Sequence, residues 1–460
     1  MANQSSHPKG LYLLFATEMW ERFSYYGNRA LLALFMISAL SFDKHFTSAL
    51  YGQYTGLVYL APLVGGYVAD RFWGNRRSIV VGGVLMAVGQ FLLFCAGTWY
   101  QEAKLAIPFF YSGLGFIIAG NGFFKPNIST MVGQLYEAND SRKDTAYTIF
   151  YMGINLGSFM APLICGALGD TGNPADFRWG FLTAGVGMLI SLAIFISFRD
   201  KYLVDPVGKL IGLAPGKISA EERAKRDTPL TQVDIERIIV IGVLSFFVIF
   251  FWSAFEQAGV SLTFFAAESL DREVLGFVVP TSWFQSLNPV FVLIFAPVLA
   301  SLWTFLSKRG AEPSSPTKMA WGLLFLGFGY IVIAMAVKHI EPGVKVSIMW
   351  LVTMYWLHTM GELCLSPIGL SLVNKLAPAR FASLLMAVWF TASAAANWFA
   401  GVLAGFYPEA GQAIPSFMGY QISSIYEFFM LFVGMAMAAA ALLLLSTKKL
   451  QKMMHQDVIA

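Results

Sequence analysis

Long apolar runs recur along the whole chain of 460 residues and leave few folds open. A run of about 20 apolar residues crosses a bilayer as a helix, because a helix pairs its own backbone groups in lipid. Only 13% of the residues are charged, against roughly 25% in soluble proteins. The chain is therefore predicted to be an all-α membrane protein with about twelve transmembrane helices, at residues 11–40, 46–69, 78–98, 105–135, 145–168, 178–199, 235–266, 279–306, 318–337, 344–373, 381–405 and 416–446.

The distribution of polar residues predicts how these helices are arranged. Lysine and arginine concentrate in the terminal segments and in alternate loops, so both termini are expected in the cytoplasm. One long polar segment separates six spans from six. It predicts two six-helix bundles, 1–199 and 235–460, joined by a cytoplasmic linker at 200–234. Within the linker, Ser219 to Glu222 has the form of a capping box, so a short surface helix and a disordered linker are equally compatible with the sequence.

Composition argues against several other classes of protein. The net charge of +4 is small and reflects cytoplasmic loops, which gives no surface for nucleic acid. The three cysteines lie in apolar runs, which argues against a disulfide framework or a thiolate metal site. The five histidines have no spacing typical of ligands, so no metal or other cofactor is expected. The first apolar run is too long for a cleavable signal.

A line of polar residues lies within the first apolar run. Intervals of three and four residues place them on one helix face: Glu18, Glu21, Arg22, Tyr25, Tyr26 and Arg29. Each charge near the middle of a membrane helix costs roughly 2.5–3.5 kcal/mol, so this face must contact protein or a water-filled cavity. Glu18 and Glu21 compete for the guanidinium of Arg22, an arrangement that suits a carrier of protons.

Further polar residues, and two tryptophans that share helix faces with them, lie within the later spans. They are Lys125 in the fourth span, Asn155 in the fifth, Trp252 and Glu256 in the seventh, Asn288 in the eighth, Glu362 in the tenth, and Trp389 and Ser393 in the eleventh. An asparagine in such a position can be a purely structural hydrogen-bonding residue. A carboxylate left unpaired in lipid is more expensive, which favours a functional interpretation for Glu256 and Glu362. His358 could relay protons, although a hydrogen bond between helices is the favoured interpretation.

The predicted depths of these residues suggest two ion pairs. Arg29 and Glu256 both lie in the outer halves of their spans, whereas Lys125 and Glu362 both lie towards the inner halves. Each pair joins a helix of the first bundle to a helix of the second. Pairs on opposite sides of the midplane are what two alternating gates would need, so Arg29–Glu256 is predicted as the outer gate and Lys125–Glu362 as the inner gate.

Several motifs resemble those of known transporters. The loop GGYVADRFWGNRR after the second span resembles the loop signature of the major facilitator superfamily, which supports a major facilitator fold. EMWERFSYYG looks like the ExxER motif of the proton-coupled oligopeptide transporters, the POT family. FFKPNIST, FYMGINLGS, FEQAG, SWFQSLNP and GELCLSP are similar to further signatures of that family, in the same order.

The resemblance implies a symporter that imports di- and tripeptides with protons by alternating access. Glu18, Glu21, Arg22 and Glu256 would couple transport to protons. Arg22 and Lys125 would hold the peptide carboxylate, and Glu362, with Asn155 and Asn288, would hold the amino group and backbone. The remaining predicted substrate-binding residues are Tyr25, Tyr26, Tyr59, Trp252, Trp389 and Ser393. The coupling ion is the proton, and no cofactor is implied. A functional monomer in the plasma membrane is expected, which would be the inner membrane in a bacterium, and peptide-like drugs are candidate substrates.

Two departures from the family pattern are visible. Bacterial relatives usually carry two extra helices between the sixth and seventh spans, and the polar interval here is too short and too polar for them. Mammalian relatives have a histidine near the start of the second span, where this chain has Gly52. The alternative functions are a carrier of nitrate or another small anion, an intramembrane enzyme and a signalling transceptor. The ExxER motif favours peptide over nitrate, the sequence offers no nucleophile–base pair, and the short loops leave little surface for an effector.

Overall fold

The computed structural model describes residues 6–137, 140, 142–214, 231–339, 343–378, 381–409 and 411–455. The helices are α1 Lys9–Ser38, α2 Lys44–Val68, α3 Gly74–Thr98, α4 Ala103–Gln134, α5 Arg142–Gly169, α6 Phe177–Tyr202, α7 Gln232–Phe255, α8 Ser261–Ser269, α9 Leu287–Lys308, α10 Ser315–Val337, α11 Ile348–Leu376, α12 Ala382–Ala404 and α13 Ile425–Met454. The surface helix considered at Ser219 to Glu222 lies outside the described residues.

The helical segments agree with the number of membrane spans expected from the sequence. Among the described residues, nine segments are long and apolar enough to cross a membrane, and the longest, Lys44–Thr98, contains both α2 and α3. Together with α1 and α11, which are of similar length, these segments are consistent with the twelve predicted spans. The predicted all-α membrane fold is confirmed.

Short strands occur in the connections between helices. They are β1 Leu270–Asp271, β2 Glu273–Val274, β3 Phe277–Val278, β4 Val346–Ser347, β5 Ser416–Phe417 and β6 Tyr420–Gln421. β1 pairs in parallel with β4, and β5 pairs antiparallel with β6. The last two strands show that the predicted start of the twelfth span at 416 was wrong. Ser424 begins the helix instead, through a capping box with Glu427, because their side chains satisfy backbone N–H groups at the helix start.

Tighter or wider turns of helix occur within one predicted span and at the ends of others. A π-helical turn, Ala69–Trp73, precedes Gly74, whose φ of 74° is readily adopted only by glycine. A 3₁₀ turn, Glu256–Gly259, separates α7 from α8 within the predicted span 235–266. A second 3₁₀ turn, Thr281–Ser286, precedes α9.

The contacts divide the chain into two compact units. The first comprises Met1–Asp43, Leu57–Gly216 and Val278–Leu293, and the second comprises Lys44–Gly56, Lys217–Phe277 and Ile294–Ala460. In the first unit α1 packs on α5 and α6, and α3 packs on α4 and α6. In the second unit α10 packs on α11 and α13, and α7 packs on α12 and α13. Each unit therefore draws on segments from both halves of the sequence, and the bundles 1–199 and 235–460 with their linker 200–234 remain a prediction.

Glycines bring helix backbones into direct contact inside both units. A Cβ at Gly120 of α4 would lie 2.5 Å from the carbonyl oxygen of Gly82 in α3, and one at Gly89 would lie 2.8 Å from that of Gly113. In the second unit Gly322 and Gly361 make the same kind of crossing between α10 and α11. Small residues are favoured at such contacts because membrane helices associate through close packing rather than through the hydrophobic effect.

Candidate functional site

The charged face of α1 is buried inside the first unit. Arg22 is only 2% exposed, and its Nη2 donates to Glu21 Oε1 at 2.5 Å while its Nε donates to Glu21 Oε2. The same Nε lies 3.2 Å from Glu18 Oε1. The guanidinium is therefore shared by two carboxylates, as the sequence predicted, with Glu21 holding it through two bonds and Glu18 through one contact.

Glu18 is the less completely paired of the two carboxylates. Its Oε2 is buried and has no hydrogen-bond partner within the described residues. An unpaired buried carboxylate oxygen is costly, and protonation removes that cost by neutralising the group. Lys125 of α4 also interacts electrostatically with Glu18, which brings a second cation to the same cluster.

Aromatic rings cover the cations of this cluster. The Arg22 guanidinium lies 5.2 Å from the centre of the Tyr25 ring, and that of Arg29 lies 5.8 Å from the Tyr26 ring. The two tyrosine rings pack edge to face. The Lys125 ammonium lies 4.6 Å from the Tyr59 ring. Cation–π contacts stabilise charges without neutralising them, so these cations keep the capacity to attract an anion.

Neighbouring helices fix the position of α1. The Ser191 hydroxyl of α6 donates to the Thr17 carbonyl at 2.7 Å, and Gly157 of α5 lies against the Met19 carbonyl. Gln90 of α3 donates to both the carbonyl and the hydroxyl of Ser24. These bonds surround the Glu18–Arg22 turn, so the charged cluster rests on a rigid support.

Two asparagines predicted for peptide binding also lie in the first unit. Asn155 Nδ2 donates to the Tyr151 carbonyl in its own helix at 3.0 Å. Asn288 follows the turn 281–286, which is anchored on α5: Trp283 Nε1 donates to the Leu163 carbonyl at 3.1 Å, and the Ser286 hydroxyl donates to the Phe159 carbonyl at 2.8 Å. The SWFQSLNP motif therefore places Asn288 in the same unit as Asn155, although 133 positions (288 − 155) separate them in the sequence.

Glu256 in the second unit lies at a break in a membrane helix. It is the first residue of the 3₁₀ turn that separates α7 from α8, and it is buried. Gln257 braces the turn: its Nε2 donates to the carbonyls of Ser253 and Ala400 at 3.0 Å, and its Oε1 accepts from Ser261. Discontinuous helices are typical of ion and substrate sites in transporters, because the break frees backbone groups inside protein.

The Tyr330 hydroxyl supports the same break from α10. It donates to the Ala254 carbonyl at 2.6 Å, and the tyrosine is fully buried. We expect Tyr330→Phe to destabilise the protein by about 1–3 kcal/mol, because this buried hydrogen bond to the Ala254 carbonyl would be lost. Thermal unfolding in detergent would measure the change, with Tyr12→Phe, at an exposed tyrosine, as the matched control. Equal stability of the two variants would contradict the assigned role of the hydroxyl.

The remaining predicted site residues of the second unit lie in α7, α11 and α12. Glu362 is buried in α11. The indole of Trp389, from α12, packs against Gly369 of α11. The Ser393 hydroxyl donates to the Trp389 carbonyl. His358 is buried in α11, with its ring centre 4.8 Å from that of Tyr330 in α10, and the predicted hydrogen bond between helices stays a prediction. Trp252 of α7 packs edge to face on Phe255, one residue before Glu256.

The residues that hold these groups in place leave little signal in the sequence. Tyr330, Gln257 and Gln90 make the supporting bonds described above, and only the FEQAG motif gave a signal, since a glutamine and a glycine follow the glutamate. The glycine at position 52, where mammalian relatives have a histidine, is explained by helix packing. A Cβ there would lie 2.6 Å from the Gly401 Cα, so no side chain fits in this packing.

Comparison with known proteins decides the family. The profile of the POT family matches residues 76–209 and 218–422. The chain belongs to the POT family. The family resemblance predicted from the motifs is therefore confirmed, and so is the predicted function, because proton-coupled symport of di- and tripeptides is the activity of this family.

The similarity extends over nearly the whole chain. It is 37% identical to the peptide transporter YePEPT of Yersinia enterocolitica, over 87% of this chain and 88% of that protein. It is also 37% identical to the uncharacterized transporter YclF of Bacillus subtilis, over 88% and 89% of the two chains. The crystal structure of a mutant peptide transporter POT in complex with alafosfalin superposes with a TM-score of 0.84, at 32% identity, over 98% of this chain and 96% of that one.

Proposed function

We propose that this POT-family protein uses the buried Glu18–Glu21–Arg22 cluster of α1 to couple proton entry to the import of di- and tripeptides by alternating access. One observation carries the proposal: a single buried guanidinium is shared unequally by two carboxylates. Protonation of one carboxylate weakens its attraction for Arg22, which makes the guanidinium available to the carboxylate of a peptide. The proton and the peptide would then be bound together.

The roles of the other residues follow from the chemistry of a peptide. A dipeptide carries one ammonium and one carboxylate at a nearly fixed separation. Arg22 and Lys125 would hold the carboxylate, while Glu362, with Asn155 and Asn288, would hold the ammonium and the backbone. The aromatic side chains and Ser393 would accept varied peptide side chains, because rings offer apolar surface with few directional demands: Tyr25, Tyr26, Tyr59, Trp252 and Trp389. Glu256, at the helix break, would take part in proton coupling.

We also propose an oligomeric state, a location and an orientation for the transporter. The protein would act as a monomer in the plasma membrane with both termini in the cytoplasm. Protons would be the coupling ion, with no bound cofactor or metal, and the protein would carry out no covalent chemistry. Peptide-like drugs would share the peptide site where they present the same two charges.

Uptake into proteoliposomes tests the proposal. The purified protein should accumulate a labelled dipeptide when the vesicle interior is made alkaline, and an uncoupler should abolish the accumulation. Unlabelled tripeptide should compete, and nitrate should not. Accumulation that is unchanged by the uncoupler would contradict proton coupling, and competition by nitrate would favour the anion carrier.

The predicted gate pairs supply a further test, since each joins residues of different compact units. If Arg29–Glu256 closes the outer side, Arg29→Ala should favour outward-open molecules and slow turnover, because one state loses an ion pair. Arg29→Lys keeps the charge and serves as the control. Accessibility of cysteines introduced at the two cavity mouths would report the shift. Unchanged accessibility in the alanine variant would mean that Arg29 has a structural role.

A further inference from the structure

A second basic site lies outside the α1 cluster, where α3 begins and α6 ends. A cavity of about 500 Å³ opens between the start of α3, the end of α6 and the segment that follows α6. It is lined by polar and apolar side chains together, among them Trp73, Arg77, Val81, Arg199 and Leu213.

The wall of this cavity is held in place by Arg76, which is buried. Its Nη1 donates to Asp200 at 2.5 Å, its Nε to the Ile211 carbonyl at 2.6 Å and its Nη2 to the Leu203 carbonyl at 2.6 Å. The Arg76 backbone N–H also donates to the Gly212 carbonyl at 2.9 Å. Arg76 therefore uses its donors for structure, and the segment 203–214 forms a defined wall.

Two other arginines give the cavity its charge. Arg77 is exposed, and its guanidinium lies 5.8 Å from the Trp73 ring. Arg199 is 31% exposed, and its Nε lies 3.9 Å from Asp200, too far for a hydrogen bond. Asp200 already accepts from Arg76, so the cavity is lined by three guanidinium groups and one carboxylate. The excess positive charge favours an anion with several acceptor oxygens.

An apolar track continues from the cavity along α3. Val80 and Val81 line the cavity, and the exposed Val84 and Val88 continue the same face of the helix at intervals of three and four residues. Trp73 lies beside the charged groups, as tryptophan does where a membrane surface meets water. Charge at one end and an apolar strip at the other match an amphiphile rather than a soluble anion.

We propose that this cavity binds an anionic glycerophospholipid. Its phosphate would lie between Arg77 and Arg199, and one acyl chain would follow Val81, Val84 and Val88. The lysine and arginine distribution predicts that this end faces the cytoplasm, where anionic lipids concentrate. The bound lipid would join α3, α6 and the segment 203–214, and so would stabilise the first unit independently of peptide binding.

Native mass spectrometry of the full chain in neutral detergent tests this site. The protein is titrated with phosphatidylglycerol or with phosphatidylcholine of the same chains, and the retained lipid is counted. The wild type should retain phosphatidylglycerol about tenfold more tightly, as expected for one or two charge-assisted bonds. The double variant Arg77→Gln/Arg199→Gln should lose this preference. Both side chains are at least partly exposed, so their loss leaves the buried Arg76 network intact.

A matched control lies at the opposite end of α6 from Arg199. Arg178 is in the first turn of α6 and, like Arg77, lies over a tryptophan, with its guanidinium 4.8 Å from the Trp179 ring. Arg178→Gln should therefore keep the preference for phosphatidylglycerol. Unchanged retention in the Arg77/Arg199 double variant, or an equal loss in Arg178→Gln, would overturn the proposed site. If glycerol phosphate displaces the lipid as well as phosphatidylglycerol does, the cavity binds a soluble anion and the lipid assignment is wrong.

Discussion

Replacing Glu21 with glutamine should abolish gradient-driven accumulation of dipeptide while leaving exchange of peptide across the membrane. Glutamine imitates a permanently protonated glutamate, so this position could no longer release a proton. Glu21 holds Arg22 through two bonds, and their weakening should free the guanidinium for the peptide carboxylate. Uptake by proteoliposomes with and without an alkaline interior gives the first quantity, and counterflow of labelled peptide gives the second.

Two further variants sharpen this result. Glu18→Gln removes the weaker of the two contacts with Arg22, so it should also impair coupling but should raise peptide affinity less than Glu21→Gln does. Glu102→Gln makes the same change at an exposed position before α4 and should behave as the wild type. Normal acid-stimulated accumulation by Glu21→Gln would remove Glu21 from the proton path.

The second large effect concerns the amino group of the peptide. If Glu362 binds it, acetylation of a dipeptide should weaken binding by about ten- to a hundredfold, since a buried charge-assisted bond contributes roughly 1.5–3 kcal/mol. In Glu362→Gln most of this difference should disappear, because a neutral amide distinguishes poorly between the two ligands. Equilibrium binding of free and acetylated dipeptide to both proteins would measure it.

The control for that experiment is a glutamate outside the predicted site. Glu312 lies in the connection before α10, where the Lys318 ammonium donates to it and holds the pKa of its carboxyl below the usual range. Glu312→Gln should keep the full discrimination against the acetylated peptide. Equal affinity of the wild type for free and acetylated dipeptides would rule out the assignment of Glu362.

The α1 cluster was predictable because helical periodicity and the cost of charge in lipid both act within one short segment. The six polar residues had to share a face, and a buried arginine had to find the nearby carboxylates. Most helix bounds followed from apolar runs for the same local reason. The predicted start of the twelfth span at 416 was wrong because the apolar residues there form a short strand pair. Composition alone does not distinguish such a pair from the first turn of a helix.

Contacts between distant segments were harder to predict. The break at Glu256 depends on Tyr330 and on the Ala400 carbonyl, 74 (330 − 256) and 144 (400 − 256) positions away, and neither leaves a local pattern. The role of Gly52 also became clear only from its neighbour Gly401. The motif resemblance predicted which distant residues act together, and those roles stay predictions.

The glycine crossing between α3 and α4 has a practical consequence for following transport by spectroscopy. Backbones in direct contact at Gly82–Gly120 and at Gly89–Gly113, with the side chains of Met86 and Ile117 packed against the same glycines, leave no space for one helix to slide along the other. We therefore expect the two helices to move as one body. A spin label on each, near this crossing, would therefore give an internal ruler of constant length, against which a changing distance elsewhere can be assigned to real movement of the transporter.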